Sequence, residues 1–191
     1  PNVTICPAGT YCVAGSVMTA PCAPGTYQDE SGKSACDACP AGRYCDGSIP
    51  ASYATCSPGY RCPTGSSNPI QCSTGKYQSQ WGQSVCDDCV AGFYCTDADR
   101  SVKLPCPLGS WCGNNTEVPE PCAPGTYGAS QNLEAATECT PCPAGKYCLD
   151  SQTVHPSPCP VGYVCETGTV QPVFCANGTY SDVGNLSSQD Q

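Results

Sequence analysis

The sequence predicts a small disulfide-rich fold: an elongated tandem array of cysteine-rich modules, built from short β-ribbons and turns with little helix. Three observations carry that prediction. Cysteine supplies 21 of the 191 residues, the density of a disulfide scaffold. Leu, Ile, Val and Phe together supply only 23, too few to bury a sizeable core, so cross-links have to stand in for one. A phrase of the form Cys-x-x-Gly recurs eleven times, at Cys6, Cys22, Cys39, Cys56, Cys72, Cys89, Cys106, Cys122, Cys142, Cys159 and Cys175.

The phrase explains the ribbons and the shortage of helix. In Cys-Pro-Ala-Gly the proline is expected to fix the first corner of a turn, and the glycine to accept a backbone conformation that other residues resist. With 20 Gly and 20 Pro spread along the chain, no window keeps a helical apolar period and no strand runs long. An aromatic ring follows the turn, five residues after the cysteine in nine copies (Tyr11, Tyr27, Tyr44, Tyr77, Tyr94, Trp111, Tyr127, Tyr147, Tyr180) and four after in two (Tyr60, Tyr163). A ring covering a disulfide would serve as a miniature core and seal the joint to the next module. Trp81 and Tyr53 lie outside the phrase and are the aromatics expected to face a partner.

The modules follow from the period. The cysteines at 36, 39, 45, 56, 62 and 72 recur 50 residues later at 86, 89, 95, 106, 112 and 122, and after a further 53 at 139, 142, 148, 159, 165 and 175. The three added residues lie between Cys122 and Cys139, near Asn132, as an insertion in an exposed loop would. The sequence divides into the C-terminal half of a repeat at 1–21, three repeats at 22–71, 72–121 and 122–174, and the start of another at 175–191. Such an array behaves as a quasi-one-dimensional solid in which neighbours touch only neighbours.

Bridges at this density persist in an oxidising compartment, so the chain is expected to be extracellular or at a cell surface. The net charge of −9, with seven Lys plus Arg, argues against nucleic acid and anionic lipid as partners. Its bland reading is a solvated surface rather than a calcium site. No stretch approaches the length of a membrane span. The chain begins at Pro1 without a signal peptide, which reads as processing or as a fragment.

Along C-A-P-G-T-Y-x8-C-x2-C-P-A-G-x-Y-C, Cys22 to Cys45, the chain resembles the ephrin-receptor-like cysteine-rich repeat, a pattern related to tumour necrosis factor receptor modules and EGF-like domains. The resemblance extends over essentially the whole length. It implies extracellular, elongated, non-enzymatic modules, frequent in large surface proteins of protists and algae as well as in receptors. The third copy departs by lacking the glycine that Gly32 and Gly82 supply four residues before the second cysteine. The receptor-module pattern implies Cys22 with Cys36, Cys39 with Cys56 and Cys45 with Cys62; then Cys72 with Cys86, Cys89 with Cys106 and Cys95 with Cys112; then Cys122 with Cys139, Cys142 with Cys159 and Cys148 with Cys165. On that scheme Cys6, Cys12 and Cys175 have partners outside the chain. A rival scheme closes each C-x5-C locally, as Cys39 with Cys45, and orphans only Cys175. Sequence alone leaves both open.

Catalysis and metal binding find no support in the residue pattern. The C-x-x-C pairs Cys36–Cys39, Cys86–Cys89 and Cys139–Cys142 are locked to the repeat and read as structural disulfides, not redox or zinc sites. The lone His155 has no nucleophile arranged around it, no phosphate loop occurs, and no cofactor is expected. Four sequons, at Asn2, Asn114, Asn177 and Asn185, are expected to carry N-linked glycans. The reading that results is a structural rod or filament segment of a surface appendage, coat or matrix. Its partners are copies of itself or continuing repeats, joined end to end as one polypeptide or by bridges through Cys175, Cys6 and Cys12. The alternative is a ligand-binding receptor ectodomain, which needs local departures from the repeat; the insertion near Asn132 and the stretch Asp97–Lys103 are the two on offer.

Overall fold

In the computed structural model, which describes residues 4–47, 53–177, 179–180 and 182–188, the phrase builds one turn over and over. At Cys39-Pro40-Ala41-Gly42-Arg43 the Arg43 amide donates to the Pro40 carbonyl at 3.1 Å while Gly42 has φ +80°. A bond between first and fourth residues with positive φ at the third is the type II turn, whose third position favours glycine. The expected role of proline needs correcting here. In Cys-Pro-Ala-Gly the proline precedes the first corner and Ala41 forms it; only in Cys-Ala-Pro-Gly and Cys-Ser-Pro-Gly, at Pro24, Pro58 and Pro124, does proline take the corner.

Two residues after each turn pair antiparallel with the two residues before the next phrase's cysteine. Ten such ribbons result, and no larger sheet forms among the described residues. The chain divides into two bodies. The first, residues 1–88 with 97–102, holds Thr10–Tyr11 with Ala20–Pro21, Thr26–Tyr27 with Asp37–Ala38, Arg43–Tyr44 with Ala54–Thr55, Tyr60–Arg61 with Ile70–Gln71, and Lys76–Tyr77 with Asp87–Asp88. The second, residues 89–96 with 103–191, holds Phe93–Tyr94 with Leu104–Pro105, Ser110–Trp111 with Glu120–Pro121, Thr126–Tyr127 with Thr140–Pro141, Lys146–Tyr147 with Ser157–Pro158, and Tyr163–Val164 with Val173–Phe174. The structural unit is therefore one turn plus one ribbon, 17 residues from Cys39 to Cys56, and three units make one sequence period.

Units are joined through the backbone by the same three bonds. In the first body the Gly42 amide donates to the Cys62 carbonyl (2.8 Å), the Cys45 amide to Ser66 (3.0 Å) and the Gly65 amide to Cys39 (2.8 Å). In the second the Gly145 amide donates to Cys165 (2.7 Å), the Cys148 amide to Thr169 (3.0 Å) and the Gly168 amide to Cys142 (2.8 Å). Contact also reaches one unit further. A β-carbon on Gly42 would stand 2.0 Å from the carbonyl oxygen of Gly82, and one on Gly25 would stand 2.5 Å from that of Gly65. Contact restricted to neighbours therefore fails for the 17-residue unit.

The disulfides follow the turns. Seven close a single phrase: Cys6–Cys12, Cys39–Cys45, Cys56–Cys62, Cys89–Cys95, Cys106–Cys112, Cys142–Cys148 and Cys159–Cys165, with Cα separations of 5.8–6.1 Å. Three close a longer loop: Cys22–Cys36, Cys72–Cys86 and Cys122–Cys139. The interleaved pairs Cys39–Cys56, Cys45–Cys62, Cys89–Cys106, Cys95–Cys112, Cys142–Cys159 and Cys148–Cys165 are thereby corrected, as is the placing of Cys6 and Cys12 with partners outside the chain. Loop entropy does not decide between the schemes: bridging 17 residues instead of 6 adds less than about 1 kcal/mol. The turn decides, because it folds each phrase back so that its two cysteines face one another within bonding distance. Cys175 is free and half-buried.

Sulfur fills the interior. Apart from Val164 and Leu186, every buried apolar side chain among the described residues is a cysteine. The aromatic rings do not form the core, contrary to the sequence expectation: the described phrase aromatics are half-buried, and Tyr180 is 88% exposed. In the three long-loop units the second cysteine of the phrase is replaced by Gln28, Gln78 and Gly128. Both glutamines are buried and do the same thing. The Gln78 amide donates to the Val85 carbonyl at 3.0 Å and its Oε1 accepts the Gln80 amide at 3.0 Å; Gln28 bonds Ala35 and Glu30 likewise. A hydrogen-bonded amide thus does for the long loop what the short bridge does elsewhere.

Left-handed residues mark a second fixed point in the unit. Gly32, Gly65, Gly82 and Gly168 fill it with φ of 72–82°; Asn115, Asn132, Gln152 and Asn185 fill it with φ of 59–66°. Each donates its amide to the cysteine carbonyl that opens the preceding unit, as Asn132 to Cys106 at 3.0 Å. The third copy's missing glycine is therefore answered by Asn132, which tolerates this conformation better than most side chains. Its three added residues form a 3-10 turn at Ala136–Glu138.

Two stability outcomes follow. Gly42→Ala and Gly65→Ala both place a side chain at positive φ, a strain of about 1–2 kcal/mol. Only at Gly42 does the added β-carbon meet a backbone oxygen as well, while one at Gly65 has nothing within 4 Å. Thermal melting under non-reducing conditions should show Gly65→Ala lowered modestly and Gly42→Ala lowered severalfold more or failing to accumulate; equal losses would contradict the stacking. Gln78→Ala strands the Val85 carbonyl and the Gln80 amide at a cost of roughly 1–3 kcal/mol, and hydrogen exchange at the Gln80 amide should speed up correspondingly.

Candidate interaction surface and modification sites

The two departures from the repeat turn out to be built differently from free loops. In Asp97–Lys103, the Arg100 guanidinium hydrogen-bonds the Cys72 carbonyl and the Asp97 carboxylate, and the Arg100 carbonyl accepts the Gln78 backbone N–H at 2.9 Å. Asp99 accepts both the Ser101 hydroxyl (2.5 Å) and the Ser101 amide (2.8 Å), and these bonds hold its carboxyl below its ordinary range. Lys103 stacks over Phe93 at 4.5 Å. The stretch is a strap tied by its own charges. In the insertion, the Glu134 amide donates to the Glu138 carboxylate at 2.7 Å, and Leu133 bridges backbone-to-backbone with Trp111.

Trp81 is 66% exposed. Tyr53 instead is engaged: its ring meets Tyr27 edge-on with centroids 5.4 Å apart and carries the Arg43 guanidinium 4.2 Å above it. Burial, aided by Asp29 and Asp37, pushes the Tyr27 phenol above its ordinary value, so the ring stays neutral.

The C-x-x-C pairs are not bonded to themselves; Cys36 belongs to Cys22 and Cys39 to Cys45, and the other two pairs are split the same way. Among the described residues no group of His, Cys, Asp and Glu could hold a metal ion. His155 is exposed beside a cleft of about 330 Å³ that it shares with Asp150 and Gln152.

Of the sequons, Asn2 lies outside the described residues. Asn114, Asn177 and Asn185 are exposed. The Asn114 side-chain oxygen accepts the Ala91 backbone amide at 3.0 Å, a bond that does not use the side-chain nitrogen, the atom a glycan joins. Thr116 and Thr179, the third residues of two sequons, each donate their hydroxyl to the carbonyl three residues back, at 2.9 and 2.7 Å.

Sequence reading passed over Arg61. It stands five residues after Cys56, the position that carries a ring in nine other phrases and Val164 in the tenth. Aligning the eleven phrases on their cysteines exposes it as the only charged residue in that register. No helix among the described residues is long and apolar enough to cross a membrane.

No curated protein matches the chain. Residues 9–56 match the family model described as tyrosine-protein kinase ephrin type A/B receptor-like, and with its bridges in tandem the chain carries there an ephrin-receptor-like cysteine-rich repeat.

Proposed function

We propose that the chain is a structural segment of an extracellular coat, appendage or matrix, a non-enzymatic spacer whose modules continue end to end into further copies or further repeats. The observation that carries this is the backbone ladder. Within each body successive units repeat the same backbone donors and acceptors, the Cys72 carbonyl with its Arg100 partner being the departure, so the joint depends little on position along the chain. Cys175, the free cysteine, occupies the position that opens a bridge in the other ten phrases. Glycans at Asn114, Asn177 and Asn185, and at Asn2, would coat the flanks.

Electron microscopy of native material without reductant should show fibres, which disperse on reduction where bridges through Cys175 make the joints and persist where the polypeptide is continuous. A compact monomer with an alkylatable Cys175 would remove the filament reading in favour of a receptor ectodomain. Glycosidase treatment in heavy-oxygen water should shift the mass of peptides holding Asn114, Asn177 and Asn185; peptides already unmodified before treatment would refute their glycosylation.

A further inference from the structure

The fourth and fifth units of the first body enclose an open cleft of about 300 Å³ lined by Arg61, Gln71, Ser73, Lys76, Val85 and Cys86. That volume is at the small end of ligand clefts, which run from about 300 to 1,000 Å³. Its chemistry departs from the repeat at one point. Where the other phrases place a ring or a valine, this unit places Arg61, on the strand Tyr60–Arg61. Both cations are half-buried in the cleft wall. Lys76 is paired with Asp88. Arg61 has no ion pair, side-chain hydrogen bond or aromatic partner among the described residues, although most of the chain's few other cations have one.

Of the two lining cations, Arg61 is therefore the one without a counter-charge, on a molecule whose net charge is −9. A guanidinium left without a carboxylate in so acidic a chain is the expected mark of a site that receives one: its planar fork matches a carboxylate or sulfate in bidentate fashion. The rest of the lining narrows the ligand. The Gln71 amide and the Ser73 hydroxyl, neither of them engaged in a side-chain hydrogen bond among the described residues, can meet hydroxyl groups. Val85 and the Cys86 side chain supply an apolar wall. A single anionic group, several hydroxyls and an apolar C–H face occur together in an acidic sugar.

We propose that this cleft binds one acidic monosaccharide unit, carrying a carboxylate or a sulfate ester, with Arg61 gripping the anion and Lys76, Gln71 and Ser73 orienting the ring. A site of this kind would tie the protein to acidic polysaccharide around it.

The test is a titration of the isotopically labelled protein, followed by amide NMR at constant ionic strength, with sodium glucuronate, glucose 6-sulfate, glucose and inorganic sulfate. The expected result is saturable shifts at the Gln71, Ser73 and Lys76 amides with glucuronate or the sugar sulfate, the stronger of the two identifying the anion. Glucose and inorganic sulfate should each bind at least about tenfold more weakly, since each lacks half of the match. Arg61→Gln, with an otherwise unchanged spectrum, should lose about tenfold in affinity, and Arg61→Lys should recover only part of it. Absence of shifts with both sugar acids, equal response to inorganic sulfate, or unaltered affinity in Arg61→Gln would each overturn the proposal.

Discussion

The interaction on which the structure depends is the hydrogen bond between the turn glycine of one unit and the carbonyl six residues into the next phrase, as between Gly42 and Cys62. The bond demands a backbone amide at the outer corner of a type II turn, and the turn demands positive φ there. Glycine alone satisfies both while letting the unit after next approach its α-carbon. Everything else is arranged around that approach. The disulfide fastens the base of the turn, the ribbon carries the chain to the next phrase, and the second left-handed residue returns a bond to the cysteine carbonyl. Because these are backbone contacts, side chains along the flanks are free to vary, and the chain does vary them.

That division explains how the fold is stabilised without an apolar core. A ribbon of two residues per strand is unstable in isolation, and half-buried rings cannot substitute for packed aliphatics. Short-loop bridges restrict the unfolded chain by roughly 2–3 kcal/mol each in the chain-entropy picture, and there are seven of them besides the three longer ones. Where a unit lacks the short bridge, Gln28 and Gln78 restore the constraint with a buried amide whose donors and acceptors are all used locally. Gly128, in the third long-loop unit, has no side chain to offer; a β-carbon there would stand 2.9 Å from the Gly109 amide nitrogen and 3.3 Å from the Cys122 sulfur. The closer approach of the backbones replaces the amide, and the added residues between Cys122 and Cys139 give the loop the length to do so.

How much of this was legible in the sequence depends on whether a residue acts through its type or through its neighbours. Cysteine density, the scarcity of aliphatics and the spacing of Gly and Pro act through type, and they reveal ribbons, turns and tandem repetition directly. Connectivity acts through geometry. Cys39 is six residues from Cys45 and 17 from Cys56, both reachable, and only the direction taken by the chain after Gly42 selects the first. The same blindness applied to Gln28 and Gln78, whose equivalence to cysteine is visible only once the phrases are superposed, and to Asn132 and Asn185, which stand in for glycine through backbone conformation alone. The Asp97–Lys103 stretch read as a charged departure because its charges were counted singly; folded, Arg100 pairs with Asp97 and holds the Cys72 carbonyl, Asp99 takes Ser101, and Lys103 lies over the Phe93 ring.

Arg61 is the converse case, and it shows what a repeat makes possible. In an ordinary domain an unpaired surface arginine carries no information, since most surface positions accept one. In a chain whose neighbouring units solve the same packing problem ten other times, the other solutions act as internal controls. Ring or valine is the answer that stability favours in this register, so a guanidinium there is not explained by folding. Nor is it explained by charge balance, because the chain has more than twice as many acids as bases and still leaves this base unpaired beside a cleft. A residue that departs from its own repeat without a partner inside the molecule points outward, to something of opposite charge that the molecule meets.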